Sequence, residues 1–301
     1  MTKQSPHPRH TRRLVTLTVA AALAVAGAGL LAGCGTVSLR GVDPESTDFE
    51  LSGTDVTITS ANSDMTVVPG DVGRVQVTRW VRGGDPSWEI THDMALDGGG
   101  ATDLIELRVD CHILQNCLAR YEITVPRGVT VRLASDNGDL TASGFADGLA
   151  VKSDNGDLDL SNLTCAVGIE TDNGDIELRN VTGNVTVSTD NGSLNANRIS
   201  SDQFTVDSDN ADVEVSGLAA QVVRLTTQNG DLDVVMDEVP REVTVESKNA
   251  DLDLAVPHGD YEVSIEKDHG DSDSQVKSTS GASNTITIVT ENGDIDLSYS
   301  D

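Results

Sequence analysis

The sequence predicts an all-β protein that folds as a single-stranded β-solenoid of the β-helix type, with coils of about 18 to 20 residues. Three observations predict this class. Short runs such as DLDL and NVTVS alternate apolar and polar residues, which is typical of strands. The motif Asp-Asn-Gly-Asp recurs at a nearly constant spacing. No stretch after the N-terminal segment sustains the helical period of 3.6 residues.

The repeat is clearest in its asparagines. Successive Asn-Gly or Asn-Ala dipeptides are first 18 residues apart, and the steps then lengthen to 19 and 20. The asparagines expected to stack as a structural ladder are Asn137, Asn155, Asn173, Asn191, Asn210, Asn229, Asn249 and Asn292. His269 occupies the Asn position between the last two of them, and Asn62 in TSANSDMTV belongs to a weaker, earlier copy.

Two architectures are compatible with this repeat. Asn-Gly between alternating strands is typical of a type I′ hairpin, which would give an antiparallel meander or a propeller. The solenoid is favoured because the strands are only four or five residues long and a propeller blade needs about 40 residues. A polar residue that recurs at one phase also suits stacked corners, where Asn and Gly tolerate a left-handed conformation.

The N-terminus has the layout of an export signal. Lys3, Arg9, Arg12 and Arg13 precede an apolar run from Leu14 to Leu31. The following Leu-Ala-Gly-Cys resembles the bacterial lipobox, and this resemblance implies that Cys34 is lipidated and anchors the chain to the outer face of the cytoplasmic membrane. A retained membrane helix and an ordinary cleaved signal are the alternatives.

Two of the other cysteines are predicted to form a disulfide. Cys111 and Cys117 in CHILQNC are close enough to close a small ring in an oxidising compartment. A metal site formed by these cysteines with His112 is the alternative, although only three ligands are visible. Cys165 lies inside a repeat and is expected to be a small buried apolar residue.

The charge balance argues against nucleic-acid binding. Without residues 1–33, the chain carries 16 basic and 49 acidic side chains, and 16 − 49 gives −33. Stacking would place one column of aspartates before the Asn corner and another after it. We expect solvated corners and no cofactor, with Ca²⁺ bridging Asp139, Asp157 and Asp175 as the alternative. The glycine-rich nonapeptide of Ca²⁺-binding β-rolls is absent from the sequence.

An enzyme is not expected. The acids belong to the repeat and none differs from its copies, and no Ser-His-Asp set, HExxH, P-loop or GxSxG context is visible. We divide the chain into a signal peptide (1–33), a tether (34–47), an N-terminal β cap with irregular coils (48–126) and regular repeats (127–301). A separate β-sandwich is the alternative for the cap. Trp80 and Trp88 are expected in the cap core, and a binding platform is the alternative.

The segment YEITVPRGVTVRLASDNGDLTASG and the recurrent GDL or GDI units resemble a bacterial family of unknown function with β-strand repeats, often labelled "putative adhesin". The resemblance implies a β-solenoid displayed at the cell envelope and supplies no catalytic or ligand-binding residues. The Cys111–Cys117 segment departs from the repeats.

These observations predict a non-enzymatic envelope lipoprotein. We expect it to contact the membrane through its lipid and to bind or sense an envelope polymer or a protein partner through its flat sides. The alternatives are an extracellular glycan-active enzyme on a β-helix scaffold and a purely structural spacer.

Overall fold

The computed structural model describes residues 39–93, 102–111 and 117–300, so the predicted signal peptide and Cys34 lie outside the described residues. Within these ranges no helix is long and apolar enough to cross a membrane. The strands are β1 (Glu45–Phe49), β2 (Asp55–Ser60), β3 (Asp64–Gly70), β4 (Val75–Arg82), β5 (Asp85–Asp93), β6 (Thr102–Asp110), β7 (Leu118–Pro126), β8 (Thr130–Ser135), β9 (Leu140–Ser143), β10 (Leu149–Ser153), β11 (Leu158–Leu163), β12 (Val167–Asn173), β13 (Ile176–Thr182), β14 (Val185–Asn229), β15 (Leu232–Met236), β16 (Glu242–Asn249), β17 (Leu252–Val256), β18 (Tyr261–His269), β19 (Ser272–Ser274), β20 (Asn284–Asn292) and β21 (Ile295–Tyr299).

All of these strands are hydrogen-bonded into one continuous sheet that winds around the core. Each regular coil contributes a leading strand before its Asn corner and a trailing strand after it. For example, β10 leads and β11 trails in the coil of Asn155. β14 is 45 residues long because it runs without a break through several corners.

Coils stack in parallel with a register of one repeat. Leu149 lies between Val131 and Val167, and Leu158 lies between Leu140 and Ile176. The alternation in sequence places these aliphatic side chains inside, where they are at most 3% exposed, and the intervening polar ones outside. Burial of each such side chain contributes about 1.5–3 kcal/mol, which favours the stacked arrangement over a single exposed coil.

The predicted all-β solenoid is therefore confirmed, and the hairpin alternative is wrong for the repeats. The Asn-Gly corners join strands that do not pair with each other: β10 pairs with β8 and β12, and β11 pairs with β9 and β13. The pairing is parallel because every coil turns the chain in the same direction around the core.

At both ends of the solenoid the order of the coils departs from the order of the chain. The coil of β2 and β3 lies between the coil of β8 and β9 and that of β6 and β7. At the other end, β20 lies between β16 and β18, and β21 lies between β17 and β19. At each end of the solenoid, the outermost coil is therefore formed by an internal segment of the sequence. These coils are that of β6 and β7 at one end and that of β18 and β19 at the other.

The N-terminal end is closed by antiparallel strands and an aromatic cluster. β5 pairs with β6, while β4 pairs with both β1 and β7. Phe49 packs edge-on against Trp88, and the guanidinium of Arg79 lies 3.6 Å from the Trp88 ring centroid and donates to Glu45. Trp88 therefore packs on the core as expected. Trp80 lies on the face of β4 opposite to Arg79, beside Arg120.

The C-terminal end is closed by a polar coil. In β19, Ser272 and Ser274 stand in register with Ile295 and Leu297, and both serines are exposed. Tyr261 and Val276 are buried beside this end of the core. A terminal repeat with polar residues at core positions is what a solenoid needs in order to end in water.

Candidate binding face

The side chains of the corner asparagines form a continuous ladder. Each carboxamide nitrogen donates to Oδ1 of the neighbouring Asn at 2.9–3.1 Å, from Asn137 onto Asn62 through to Asn292 onto Asn249. From Asn155 onward, the same nitrogen also contacts a backbone carbonyl at 3.2–3.5 Å. All the amides donate in the same direction along the stack, so the corner side chains link each coil to its neighbour.

A buried column of hydroxyl groups supports the ladder from inside. A Ser or Thr stands two residues before each ladder Asn and is at most 9% exposed; the column consists of Ser60, Ser135, Ser153, Thr171, Thr189, Ser208, Thr227, Ser247 and Thr290. The hydroxyl of Ser135 accepts a hydrogen bond from Gly138 N at 3.1 Å, and that of Ser153 accepts one from Gly156 N at 3.1 Å. Thr227 and Thr290 donate instead to the carbonyl of the following Asn.

Glycine follows the ladder Asn in most coils because neighbouring corners approach closely. A Cβ on Gly174 would lie 2.4 Å from the carbonyl oxygen of Gly156, and one on Gly293 would lie 2.0 Å from that of Ala250. Gly174 also has a φ of +145°. Glycine therefore suits these close approaches, although Ser63, Ala211 and Ala250 take the same position at other corners.

A second corner carries the left-handed residues other than glycine. Asn162, Asn180 and Arg198 have φ values of 55° to 56°. Asn180 donates to Asn162 at 3.1 Å, and Nε of Arg198 donates to Asn180 at 2.7 Å. The sequence allows either Asn or Gly to be left-handed at the Asn-Gly corners, and there the described positive φ values belong to glycines.

The aspartate after the corner forms a ladder of its own. Oδ1 of Asp139 accepts from Asp157 N at 3.2 Å, and Oδ1 of Asp157 accepts from Asp175 N at 3.0 Å. The same contact recurs with Asp64, Asp175, Asp212, Asp231, Asp251 and Asp294 as acceptors at 2.7–3.3 Å. This carboxylate therefore satisfies a backbone N–H of the next coil. The aspartates before the Asn, from Asp136 to Asp209, lie outside at the corner and their carbonyls accept from the Asn ladder.

A second acidic column runs beside this one on the trailing strands. Glu214, Asp233, Asp253, Asp296 and Asp273 are in register across β14, β15, β17, β21 and β19. We call the two columns together the acidic face; its exposed residues are Asp212, Glu214, Asp231, Asp233, Asp251, Asp253, Asp294, Asp296, Asp271 and Asp273. Neighbouring strands are about 4.8 Å apart, and alternate residues along a strand are about 6.6 Å apart.

The acidic face receives no compensating charge from the part of the chain that the structure describes. None of the ion pairs formed among the described residues includes a member of it. Lost hydration raises the pKa of Asp253, and the charges of Asp296 and Asp233 raise it further. Two charges 4.8 Å apart repel by about 0.9 kcal/mol in bulk water, so the array is tolerated only because it is solvated.

The earlier coils differ. There Arg179 forms ion pairs with Asp159 and Glu177, which offsets one of the two negative charges in this part of the second column. A shallow groove of about 540 Å³ runs between the two columns and is lined by Asp139, Asp157, Asp175 and Glu177, among others. In the next coil Ser193 and Asn195 replace the acids, and this uncharged step separates the two acidic regions.

The aspartates considered for Ca²⁺ lie in one column, one coil apart, with one oxygen of each used by the ladder. Across the described ranges, no group of three or more His, Cys, Asp or Glu side chains is arranged to hold a metal ion.

Cys111 and Cys117 are joined by a disulfide, with their Cα atoms 5.8 Å apart. It lies between β6 and β7, where the other coils have their Asn corner. Cys165 is buried and unpaired, and burial raises the pKa of its thiol.

A buried carboxylate joins β6 to the neighbouring segments. Asp103 is fully buried and accepts hydrogen bonds from the backbone and hydroxyl of Ser52, both at 2.6 Å, and from Nδ1 of His92 at 2.5 Å. Burial by itself would raise the pKa of Asp103, but the hydrogen bonds from His92 and Ser52 outweigh it and the pKa lies below its ordinary value. The Ser52 hydroxyl points to Asp103 and not to His92, so these residues do not form the relay of a serine hydrolase.

Two features of the site were missed from the sequence although a signal was present. The hydroxyl column is visible as Ser or Thr two positions before each Asn, and the second acidic column is visible as the second Asp of each DLD, DID or DSD triplet. The Ser52, His92 and Asp103 cluster has no signal, because its members are far apart in sequence.

Two solved structures align with most of this chain at low similarity. A crystal structure described as "a putative cell adhesion protein" from Clostridium sporogenes aligns with 12% identity and a TM-score of 0.26, over 86% of this chain and 100% of the other. A "putative adhesin" from Bacteroides fragilis aligns with 10% identity and a TM-score of 0.43, over 85% of this chain and 97% of the other. Both scores are below 0.5, so the fold assignment rests on the strand pairing described above.

A search of the curated proteins found no match. Residues 113–298 match the family described as Toastrack DUF4097, and this segment covers more than half of the 301 residues. The matched segment begins within the Cys111–Cys117 ring and includes every regular coil and the whole acidic face. The chain therefore belongs to the Toastrack DUF4097 family, whose function is unknown.

Proposed function

We propose that this protein is a non-enzymatic, lipid-anchored scaffold of the cell envelope that binds a cationic envelope component or the basic segment of a protein partner through its acidic face. The observation that carries the proposal is a pair of adjacent columns with ten exposed carboxylates, none of which forms an ion pair among the described residues. A regular array of unneutralised carboxylates attracts cations over a distance of about a Debye length.

The lipid anchor at Cys34 comes from the lipobox resemblance and places the scaffold outside the cytoplasm. The short tether would keep the N-terminal end of the solenoid close to the membrane.

The binding test uses the second acidic column, on the trailing strands. Of its carboxylates, only that of Glu214 forms a hydrogen bond with another described residue. The triple variant Asp233→Asn, Asp253→Asn and Asp296→Asn keeps side-chain size and removes three charges. The matched control is Asp136→Asn, Asp172→Asn and Asp190→Asn, which removes three exposed charges at the corners. Crosslinking in living cells, followed by mass spectrometry, should lose a captured partner in the first variant and retain it in the second.

Equal capture by both variants would contradict a role for the acidic face. Turnover of a cell-wall or extracellular glycan by the purified protein would favour the enzyme alternative. A spacer predicts no captured partner and no phenotype when one whole coil is deleted. The anchor has its own test: Cys34→Ser should release the protein from membranes and abolish incorporation of labelled palmitate, whatever the binding experiment shows.

A further inference from the structure

The six Asn-Gly dipeptides of the chain are all ladder corners, and Asn-Gly is chemically labile. The backbone nitrogen of the glycine can attack Cγ of the asparagine and expel ammonia, which leaves a cyclic imide. Water then opens the imide to aspartate or isoaspartate. The reaction needs no oxidant or cofactor, but the carboxamide must be free to turn toward the glycine nitrogen.

The ladder prevents this movement at the interior corners. In Asn155, Asn173, Asn191 and Asn229, the carboxamide nitrogen makes two hydrogen bonds and Oδ1 accepts a third from the next coil. In Asn137 both ends of the carboxamide are also engaged. Attack on Cγ at these positions requires several of these contacts to break together.

Asn292 is the exception. Its nitrogen donates to Asn249 Oδ1 at 3.0 Å and to Lys248 O at 3.4 Å, but its own Oδ1 accepts no hydrogen bond from any described residue. The residue in register on its outer side is His269, which replaces the asparagine that would otherwise donate. The ladder therefore ends at Asn292.

The coil outside Asn292 is also the least buried part of the repeats. The last four residues of β18 and all three of β19 are exposed. Among the described strands β19 pairs only with β21, and β18 pairs with β20 and, through a single bridge at Tyr261, with Ser278. Local opening is expected to be easiest where few apolar contacts hold the backbone, so this coil should open without unfolding the interior corners.

We propose that Asn292 is a site of spontaneous deamidation in the folded protein and that the amide ladder protects the other Asn-Gly corners. The product would place a carboxylate beside Asp294 and remove both hydrogen bonds to the coil of Asn249. Modification at this position would therefore loosen the last two coils and add a charge at the edge of the acidic face.

The test follows all six sites in the native full-length chain at 37 °C and pH 8 by peptide mass spectrometry. Deamidation at Asn292 is expected to be at least about tenfold faster than at any interior corner, because the rate follows the population of the opened state. In denaturant the six sites should react at similar rates. An interior corner as fast as Asn292 in the folded protein, or an Asn292 as slow as the interior corners, would overturn the proposal.

The variant His269→Asn tests the mechanism. It supplies the missing donor to Oδ1 of Asn292 and is itself followed by Gly270, so the labile position should move outward to residue 269. Deamidation at Asn292 should slow by about fivefold, the factor that corresponds to one hydrogen bond. The control His258→Asn also creates an Asn-Gly pair, but away from the ladder, and should leave the rate at Asn292 unchanged. An Asn292 rate that His269→Asn does not lower would show that the ladder is not what protects these corners.

Discussion

The carboxamide nitrogen of Asn173 lies 3.1 Å from Oδ1 of Asn155, although the two residues are 18 positions apart in the chain. It also lies 3.3 Å from the carbonyl oxygen of Asp154. One side chain thus helps to fix the register of two coils at the corner, alongside the backbone hydrogen bond from Asn173 N to Asp154 O at 2.9 Å. The ladder contact is the structural reason for the repeated Asn.

Replacing Asn173 by Ala should destabilise the protein by about 2–3 kcal/mol. The change removes two donated hydrogen bonds and leaves Oδ1 of Asn155 and the amide of Asn191 without their partner. Urea denaturation measures the loss, and Asp172→Ala at the adjacent exposed position is the control. Equal effects of the two substitutions would mean that the ladder adds little stability.

Gly174→Ala should destabilise the fold by about 2 kcal/mol or more, because the new Cβ would lie 2.4 Å from Gly156 O and because φ is +145°. Gly168→Ala is a matched control on the neighbouring strand, where a Cβ would meet no atom within 4 Å. Thermal melting compares the two variants. A melting temperature of Gly174→Ala near that of the control would contradict the close approach of the corners.

Asp253→Asn should stabilise the protein at pH 7 by about 0.3–0.5 kcal/mol, a small value because solvent screens this exposed group. The pKa of Asp253 is raised above 3.8, so this carboxyl favours folding in its protonated form. Its contribution is present in full below pH 3.8 and is lost as the pH rises through the folded pKa.

The gain from Asp253→Asn should accordingly vanish below pH 3.8 and shrink in 1 M salt. Melting temperatures across pH and salt provide the check, with Asp154→Asn as the control outside the acidic face. A gain that persists at acid pH would mean that charge repulsion is not its cause.

Asp103 should have the opposite pH dependence. Its pKa is lowered from 3.8, so its contribution to stability is present above pH 3.8 and is lost as the pH falls through the folded pKa. Asp103→Asn should cost about 2–3 kcal/mol at pH 7, since charge-assisted hydrogen bonds from Ser52 and His92 are lost. Urea denaturation between pH 2 and 7 should show a flatter acid limb than in the control Asp110→Asn.

The sequence was sufficient to predict the solenoid because the same local pattern of residues is repeated many times. The 18-residue step between Asn137, Asn155 and Asn173 corresponds directly to the observed register. The position of the terminal coils was not predictable, since nothing in the residues of β20 indicates that it pairs with β16 as well as β18. The position of β20 depends on which strand edge is still unpaired when this segment folds. That is a property of the assembled coils and not of the local sequence.

The candidate site was predictable in part. The position of the corner aspartates in the repeat was enough to predict that they form columns. Their role as acceptors of backbone N–H groups could not be predicted, because a solvated aspartate and a hydrogen-bonded one recur at the same spacing in the sequence. The closing residues of the N-terminal end, Arg79 and Trp88, lie on strands that are not neighbours in the sheet, and their contact has no period to reveal it.

The insertion of β20 and β21 has a consequence for biogenesis. The segment Tyr261–Ser274 has almost no partner until Asn284–Tyr299 arrives, because β19 pairs only with β21 and β18 pairs chiefly with β20. This stretch therefore stays unpaired for as long as β20 and β21 are missing, however many earlier coils have already formed. A copy truncated before Asn284 would carry a ragged, protease-sensitive end.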